Sequence, residues 1–348
     1  MGNALKLALL GLGLAGSLGC AAPRLERHEY EDAAMGTQFR IVLYAESREV
    51  ADAAAQAAFA RVHELDARLS DYREESELSR LSAASGDGEL HAVSEDLWRV
   101  LSLALEVAEE SEGAFDVTAG PVIGLWRRAR RQGELPDEAR LAKALEATGW
   151  RHVRLDPWAR SVELRRPGMK LDFGGIAKGY ALDAALDVLA EHAIERALVD
   201  GGGDVAVRRA PPGERGWRVE IRPLGDETAS VALVLENAAV ATSGDAFQAL
   251  VVDGVHHSHI VDPRTGRALS TRASASVVAR DGALSDALAT AACVLGPERG
   301  LALCERRGAE VRVMLENSGA SEGPRVESRE TPGFRALILH ASGPLPPP

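Results

Sequence analysis

Carboxylates, hydroxyls and glycines crowd into five short segments of this 348-residue chain, where a packed core would exclude them. In Ser285-Asp286-Ala287-Leu288-Ala289-Thr290, Asp286 and Thr290 stand four residues apart. On a helix their oxygens share one face, and an all-oxygen donor set suits Mg2+ better than zinc. Ser285 and Asp286 would serve equally as a helix cap. In Leu171-Asp172-Phe173-Gly174-Gly175-Ile176-Ala177-Lys178-Gly179-Tyr180 the glycines lead into a helix starting near Ala177. Its free N–H groups and Lys178 would cradle an anion. The spacing is neither a phosphate-binding loop nor the dinucleotide fingerprint, and close packing of a helix on a sheet would use the same glycines. The run Asp200-Gly201-Gly202-Gly203-Asp204 lets backbone approach a ligand or another strand, or forms a tight turn. His256, His257 and His259 fall within four positions, but no Cys partner or H-E-x-x-H pattern supports zinc. One histidine used for proton transfer or ligand contact fits better. The following Asp262-Pro263-Arg264-Thr265-Gly266 has turn chemistry of its own. The fifth segment is Gly113-Ala114-Phe115-Asp116-Val117-Thr118-Ala119-Gly120-Pro121.

Several elements must position these groups. Phe39 to Tyr44 reads as a strand after the turn-like Met35-Gly36-Thr37. Val50 to Leu69 has helical periodicity, followed by a loop over Ser70 to Ser76 and a short helical stretch to Leu81. Ser94 to Glu110 is a helix capped by Ser94, and residues 137–147 suggest another. Trp150 to Arg165 reads as a hairpin around Asp156-Pro157. Gly179 to His192 and Asp286 to Leu295 are helical. Strands are expected at 197–199, 205–207, 218–222, 231–235, 238–241, 311–315 and 336–340, with loop over 317–333 and a Pro-rich end at Pro344 to Pro348. No fixed-period repeat appears, which excludes a solenoid. Strands without regular βαβ alternation favour an α+β fold with antiparallel sheets.

The net charge is −12, with 40 basic and 52 acidic residues. That speaks against a nucleic-acid-binding surface but not against a small phosphate ligand. Residues 1–20, MGNALKLALLGLGLAGSLGC, place Lys6 before an apolar run from Leu7 to Leu18, as in a signal peptide. Ser17-Leu18-Gly19-Cys20 resembles a bacterial lipobox in which Cys20 is lipidated, although Ser17 departs from the usual Leu. An ordinary cleaved signal is the alternative. Residues 21–32 read as a tether, 33–316 as the functional domain and 317–348 as a loop-rich tail. No stretch after the signal reaches the ~18 apolar residues of a membrane span. Cys293 and Cys304 read as buried, inert thiols.

Taken in order, Met35-Gly36-Thr37, the Ser70-Asp71-Tyr72 loop with Ser76-Glu77-Leu78, GAFDVTAGP, LDFGGIAKGYALD, DGGGD, HSHIVDPRTG and SDALAT form a set. The set resembles the bacterial ApbE family of FAD:protein FMN transferases over about residues 30–315. The resemblance implies a two-lobed α+β protein with FAD in a cleft between the lobes. It implies Mg2+-dependent transfer of FMN from FAD onto a Thr or Ser hydroxyl of a target protein, with release of AMP. Acceptors would be extracytoplasmic domains of membrane redox complexes, such as Nqr- or Rnf-like subunits, reached from a lipid-anchored position. Carried over by position, Met35 and Tyr72 would contact the flavin nucleotide, and Asp116, Val117 and Thr118 would line its pocket. Asp172 and Lys178 would hold its polar groups, although family members differ at the Lys178 position. Val261 would present backbone to it. Gly175, Asp286 and Thr290 would hold Mg2+, and His259 would activate the acceptor hydroxyl. The rival readings are an FAD pyrophosphatase using water as nucleophile and a non-catalytic FAD-binding lipoprotein.

Overall fold

The computed structural model describes residues 25–222, 224, 230–244, 249–319 and 323–339. The expected signal segment with Cys20 and the Pro344 to Pro348 end lie outside the described residues. Strands β1 (Glu26–Ala34) and β2 (Thr37–Ala45) open the fold, joined through Met35 and Gly36 at φ 50° and 73°. Both values are left-handed, as a two-residue hairpin loop requires. Residues 26–32, expected to be a tether, are therefore an edge strand, with Glu26 opposite Ala45 and Asp32 opposite Phe39. Edge strands carry charge on the outer face, and that charge made the segment read as loop.

The chain continues through α1 (Arg48–Leu69), α2 (Glu77–Ala83), β3 (His91–Ala92), α3 (Glu95–Glu110), α4 (Gly120–Gln132) and α5 (Glu138–Glu146). After a 3-10 turn at Trp150–His152 come β4 (Val153–Asp156), β5 (Ser161–Leu164), α6 (Ala177–Glu191), β6 (Ala197–Gly201), β7 (Asp204–Val207), β8 (Trp217–Ile221) and β9 (Val231–Leu235). Then follow β10 (Ala238–Gly244), β11 (Ala249–Val252), β12 (Val255–Ser258), β13 (Val261–Asp262), β14 (Arg267–Ala268) and β15 (Ala273–Ala279). The last elements are α7 (Gly282–Arg306), β16 (Glu310–Gly319), β17 (Gly323–Glu330) and α8 (Pro332–Leu337).

Eight strands form one sheet in the order β1-β2-β6-β7-β10-β15-β16-β17, and every neighbouring pair is antiparallel. Strand side chains alternate between faces, so Phe39, Ile41 and Leu43 join the core under α1, α6 and α7, with Leu65, Leu182 and Leu288. Val42, Leu198 and Val205 point the other way, where Trp217 and Ile221 of β8 and Phe334 of α8 cover them. A third apolar cluster joins Val122 and Trp126 of α4, Leu141 of α5, Leu250 and Val261. The fold is α+β with antiparallel sheets, as expected.

Two further expectations fail, and one helix was missed. Within the expected loop 317–333, residues 317–319 and 323–330 are strand: β16 runs to Gly319 and β17 pairs with it, Glu327 lying opposite Leu315. Residues 336–339 are not a strand, residue 340 lying outside the described residues: Thr331 accepts a hydrogen bond from Phe334 N and starts α8, whose Phe334 is fully buried. Ile338 alone makes a bridge, to Leu233. Helix α4 was not anticipated, although Pro121 in its first turn and left-handed Gly133 at its end are start and stop signals. Its Arg-rich run hid the apolar stripe of Val122, Trp126 and Ala129.

The α6–α7 contact is the junction that positions the cavity described below. Gly179 and Gly282 meet backbone to backbone; a Cβ on Gly179 would sit 2.0 Å from the Gly282 carbonyl oxygen. Asp183 reinforces the contact by accepting hydrogen bonds from Gly282 N at 2.7 Å and Ala283 N at 3.0 Å. By length and composition α7 is apolar enough to cross a membrane, yet it packs in the core and breaks at Gly296 (φ 74°) ahead of Pro297. Cys293 and Cys304 are buried and unbridged, and burial pushes the Cys304 thiol up to about 12.

Candidate active site

The ends of β7 and β10, the first turn of α6, the second and third turns of α7, the 113–119 loop and α4 converge on a cavity of about 470 Å³. Its sheet side is shaped by the β6–β7 hairpin, whose loop residues Gly202 and Gly203 hold φ 71° and 96°. This is the two-residue hairpin that positive φ at both positions permits, and Gly202 lines the cavity. The loop delivers Asp204 to the wall. An adjoining cavity of about 620 Å³ shares Tyr72, Arg127, Gly174 and Lys178 and adds Met35 and Phe173.

At the cavity floor the Lys178 ammonium pairs with Asp204 and lies 3.7 Å from Asp286 Oδ2. Asp204 Oδ1 accepts from Thr242 N at 3.1 Å, and Asp286 Oδ2 accepts from Gly179 N at 3.3 Å. The anion cradle expected at the start of α6 is thus occupied by the chain's own carboxylates. Burial pulls the Lys178 ammonium down, but Asp204 and Asp286 outweigh that and hold it above its ordinary value. Burial holds the Asp286 carboxyl above the usual carboxylate range, with Lys178 opposing. Asp286 is not a cap: Asp281 caps α7, accepting from Leu284 N at 3.0 Å, and Ser285 Oγ donates to the Val277 carbonyl at 2.6 Å. Thr290, one turn on, hydrogen-bonds Ser243 Oγ at 3.0 Å.

Also on the lining, Arg127 of α4 pairs with Asp71 and with Asp172 Oδ2 at 2.9 Å. Its guanidinium carbon lies 4.7 Å from the centre of the Tyr72 ring. That ring is 77% exposed, so a planar ligand can reach its outer surface. Burial raises the Asp172 carboxyl, and Arg127 opposes. Asp116 is spent locally: it accepts from Thr118 N at 2.8 Å, Thr118 Oγ1 at 2.7 Å and Trp150 N at 2.9 Å. His259 follows β12, half-buried on the wall.

The ApbE family model matches residues 35–315. The chain belongs to the ApbE family. A relative from Vibrio cholerae named FAD:protein FMN transferase is 32% identical over 305 residues, covering 86% of this chain and 90% of its own length. One of the same name from Treponema pallidum is 34% identical over 306 residues, covering 83% and 84%. The solved apo structure of the Pseudomonas stutzeri flavinyl transferase ApbE superposes with a TM-score of 0.79 at 26% identity, over 90% of this chain and 97% of that one.

Within this ApbE-family chain, the cavity gathers Tyr72, Asp116, Val117, Asp172, Gly175, Lys178, His259, Val261, Asp286 and Thr290. Met35 lies in the adjoining cavity. Thr118 does not line the pocket as expected: it is fully buried, its hydroxyl held between Asp116 and Gly149 N. The three neighbouring histidines do not gather at one point: His257 packs on the Trp126 ring at 5.5 Å while His259 faces the cavity. Arg127, Arg130 and Asp204 were not expected in the site. Asp204 stood in a conspicuous glycine run, whereas Arg127 and Arg130 lay in a basic stretch that reads as a solvated face.

The residues proposed for Mg2+ fit it. Gly175, Asp286 and Thr290 share one wall, and their donors are all oxygen, as Mg2+ requires. A Cβ on Gly175 would come within 2.9 Å of Thr290 Oγ1, so glycine there keeps that oxygen uncovered. Among the described residues, the Asp87, Glu89 and His91 cluster also offers ligand atoms, but it is largely exposed and does not border this cavity.

Proposed function

We propose that this ApbE-family enzyme transfers FMN from FAD to a Thr or Ser hydroxyl of a target protein and releases AMP. The observation that carries the reading is a single cavity holding both a three-residue oxygen set for a divalent cation and a histidine able to take a proton. In the reaction the acceptor oxygen bonds to the FMN phosphorus, the bridging P–O bond to the AMP phosphate breaks, and the acceptor proton passes to His259. A hydroxyl with a pKa far above 7 needs such a base close by. Mg2+ held by Gly175, Asp286 and Thr290 would neutralise charge building on the departing phosphate. Met35 and Tyr72 would flank the flavin, with Asp172, Lys178 and the Val261 backbone on its polar groups, in a cleft between the main core and the α4–α5 cluster.

Incubation with FAD, Mg2+ and an acceptor domain of the Nqr or Rnf type should give a fluorescent acceptor band and an equal yield of free AMP. AMP without label would make the enzyme a pyrophosphatase; neither product would make it a flavin binder. The same reading places the protein outside the cytoplasmic membrane, held by a lipid on Cys20. Fractionation of a Cys20→Ala variant should find it released from membranes or unprocessed, and unchanged membrane association would reject the anchor.

A further inference from the structure

Arg130 is the unbalanced cation of the cavity wall. The wall's other Lys and Arg residues are neutralised, Arg127 by Asp71 and Asp172, and Lys178 by Asp204 and Asp286. Arg130 lies three residues after Arg127, on the same side of α4. Its Nη1 is buried, with no hydrogen-bond partner among the described residues. Burial and the neighbouring Arg127 both act against its charge. A guanidinium kept there without an anion is costly; a ligand bringing an anion would offset that cost. Guanidinium is planar and presents paired donors that match phosphate oxygens.

We propose that Arg130 binds the pyrophosphate of the nucleotide, in the cavity that Gly175, Asp286 and Thr290 also line, so that the two negative groups of FAD meet a second cation there. This rests on the reading of FAD as substrate and adds a residue to it. A second cation would help to fix the pyrophosphate for attack, a positioning effect separate from proton transfer.

The test compares the full chain with Arg130→Met and Arg130→Lys, measuring affinity for FAD and for riboflavin, which shares the flavin but has no phosphate. Arg130→Met is expected to weaken FAD about 10- to 100-fold, the range of a charge-assisted hydrogen bond, and to leave riboflavin unchanged. Arg130→Lys should recover part of the loss. Unchanged FAD affinity, or equal weakening of both ligands, would overturn the assignment. Normal FAD affinity with a raised KM for the acceptor would instead make Arg130 part of the protein-docking surface. If the wild-type chain fails to bind FAD, the functional reading falls. Inorganic pyrophosphate then decides for Arg130, since loss of its binding only in Arg130→Met supports the site and equal binding rejects it.

Discussion

Asp286→Ala is expected to lower Mg2+-dependent flavin transfer about 10³-fold while the protein still folds, the effect of losing ~4 kcal/mol of transition-state stabilisation. Charge on the departing phosphate peaks in the transition state, and a cation held there acts mainly on that state. The alternative of a helix cap is gone, because Asp281 performs that role. Asp286 also has a structural role, since it accepts the Gly179 N–H and lies beside Lys178. Losing a buried acceptor costs about 1–3 kcal/mol of stability, so Asp286→Ala should melt lower than wild type. Asp286→Asn separates the roles, because its amide oxygen can still accept from Gly179 while its charge is gone. It should melt near wild type and still lose the rate. AMP release against Mg2+ concentration, with melting measured on the same samples, checks both; an Asp286→Asn enzyme with unchanged Mg2+ dependence would remove the metal from this site. Thr290→Ala should cost less, since a neutral hydroxyl is the weaker ligand.

His259→Ala should retain FAD binding and lose about 10²–10⁴-fold in transfer, the range for removal of a general base. The backbone around it is held independently of the imidazole. Ile260 N donates to Ser258 Oγ at 2.8 Å, and Leu269 N donates to the Ile260 carbonyl at 3.0 Å. The substitution is therefore confined to the side chain, and FAD affinity beside single-turnover rate reads it out. Equal loss in both would make His259 a ligand contact, and a normal rate would take it out of the mechanism.

The legibility of this site in the sequence depends on how each wall is built. The metal and Lys178 side sits on helix starts and a hairpin loop, where glycine and aspartate are required by backbone geometry; Gly202, Gly203 and Asp204 are conspicuous for that reason. The α4 side is a helix surface. Arg127 and Arg130 sit among Arg128 and Arg131, and nothing in that run distinguishes an arginine buried against Asp172 from one in water. Thr118 erred in the other direction: a motif residue next to pocket residues, it supports Asp116 and the Gly149 backbone rather than the ligand. The same logic governs the fold. Inner strands such as β2 and β10 are apolar and were legible, while β1 and β17 bear exposed charge along an outer edge of the sheet.

The backbone contact between Gly179 and Gly282 has a mechanical consequence. Two helices that touch without side chains between them have no soft layer to compress, and Asp183 pins the junction. The wall bearing Lys178, Asp286 and Thr290 is therefore stiff, like an anvil. The lining also includes Ile123 and Arg130 of α4, side chains with several rotatable bonds. On the proposed reading, entry of an acceptor and exit of AMP would be accommodated by such side chains, leaving the spacing of Gly175, Asp286 and Thr290 unchanged.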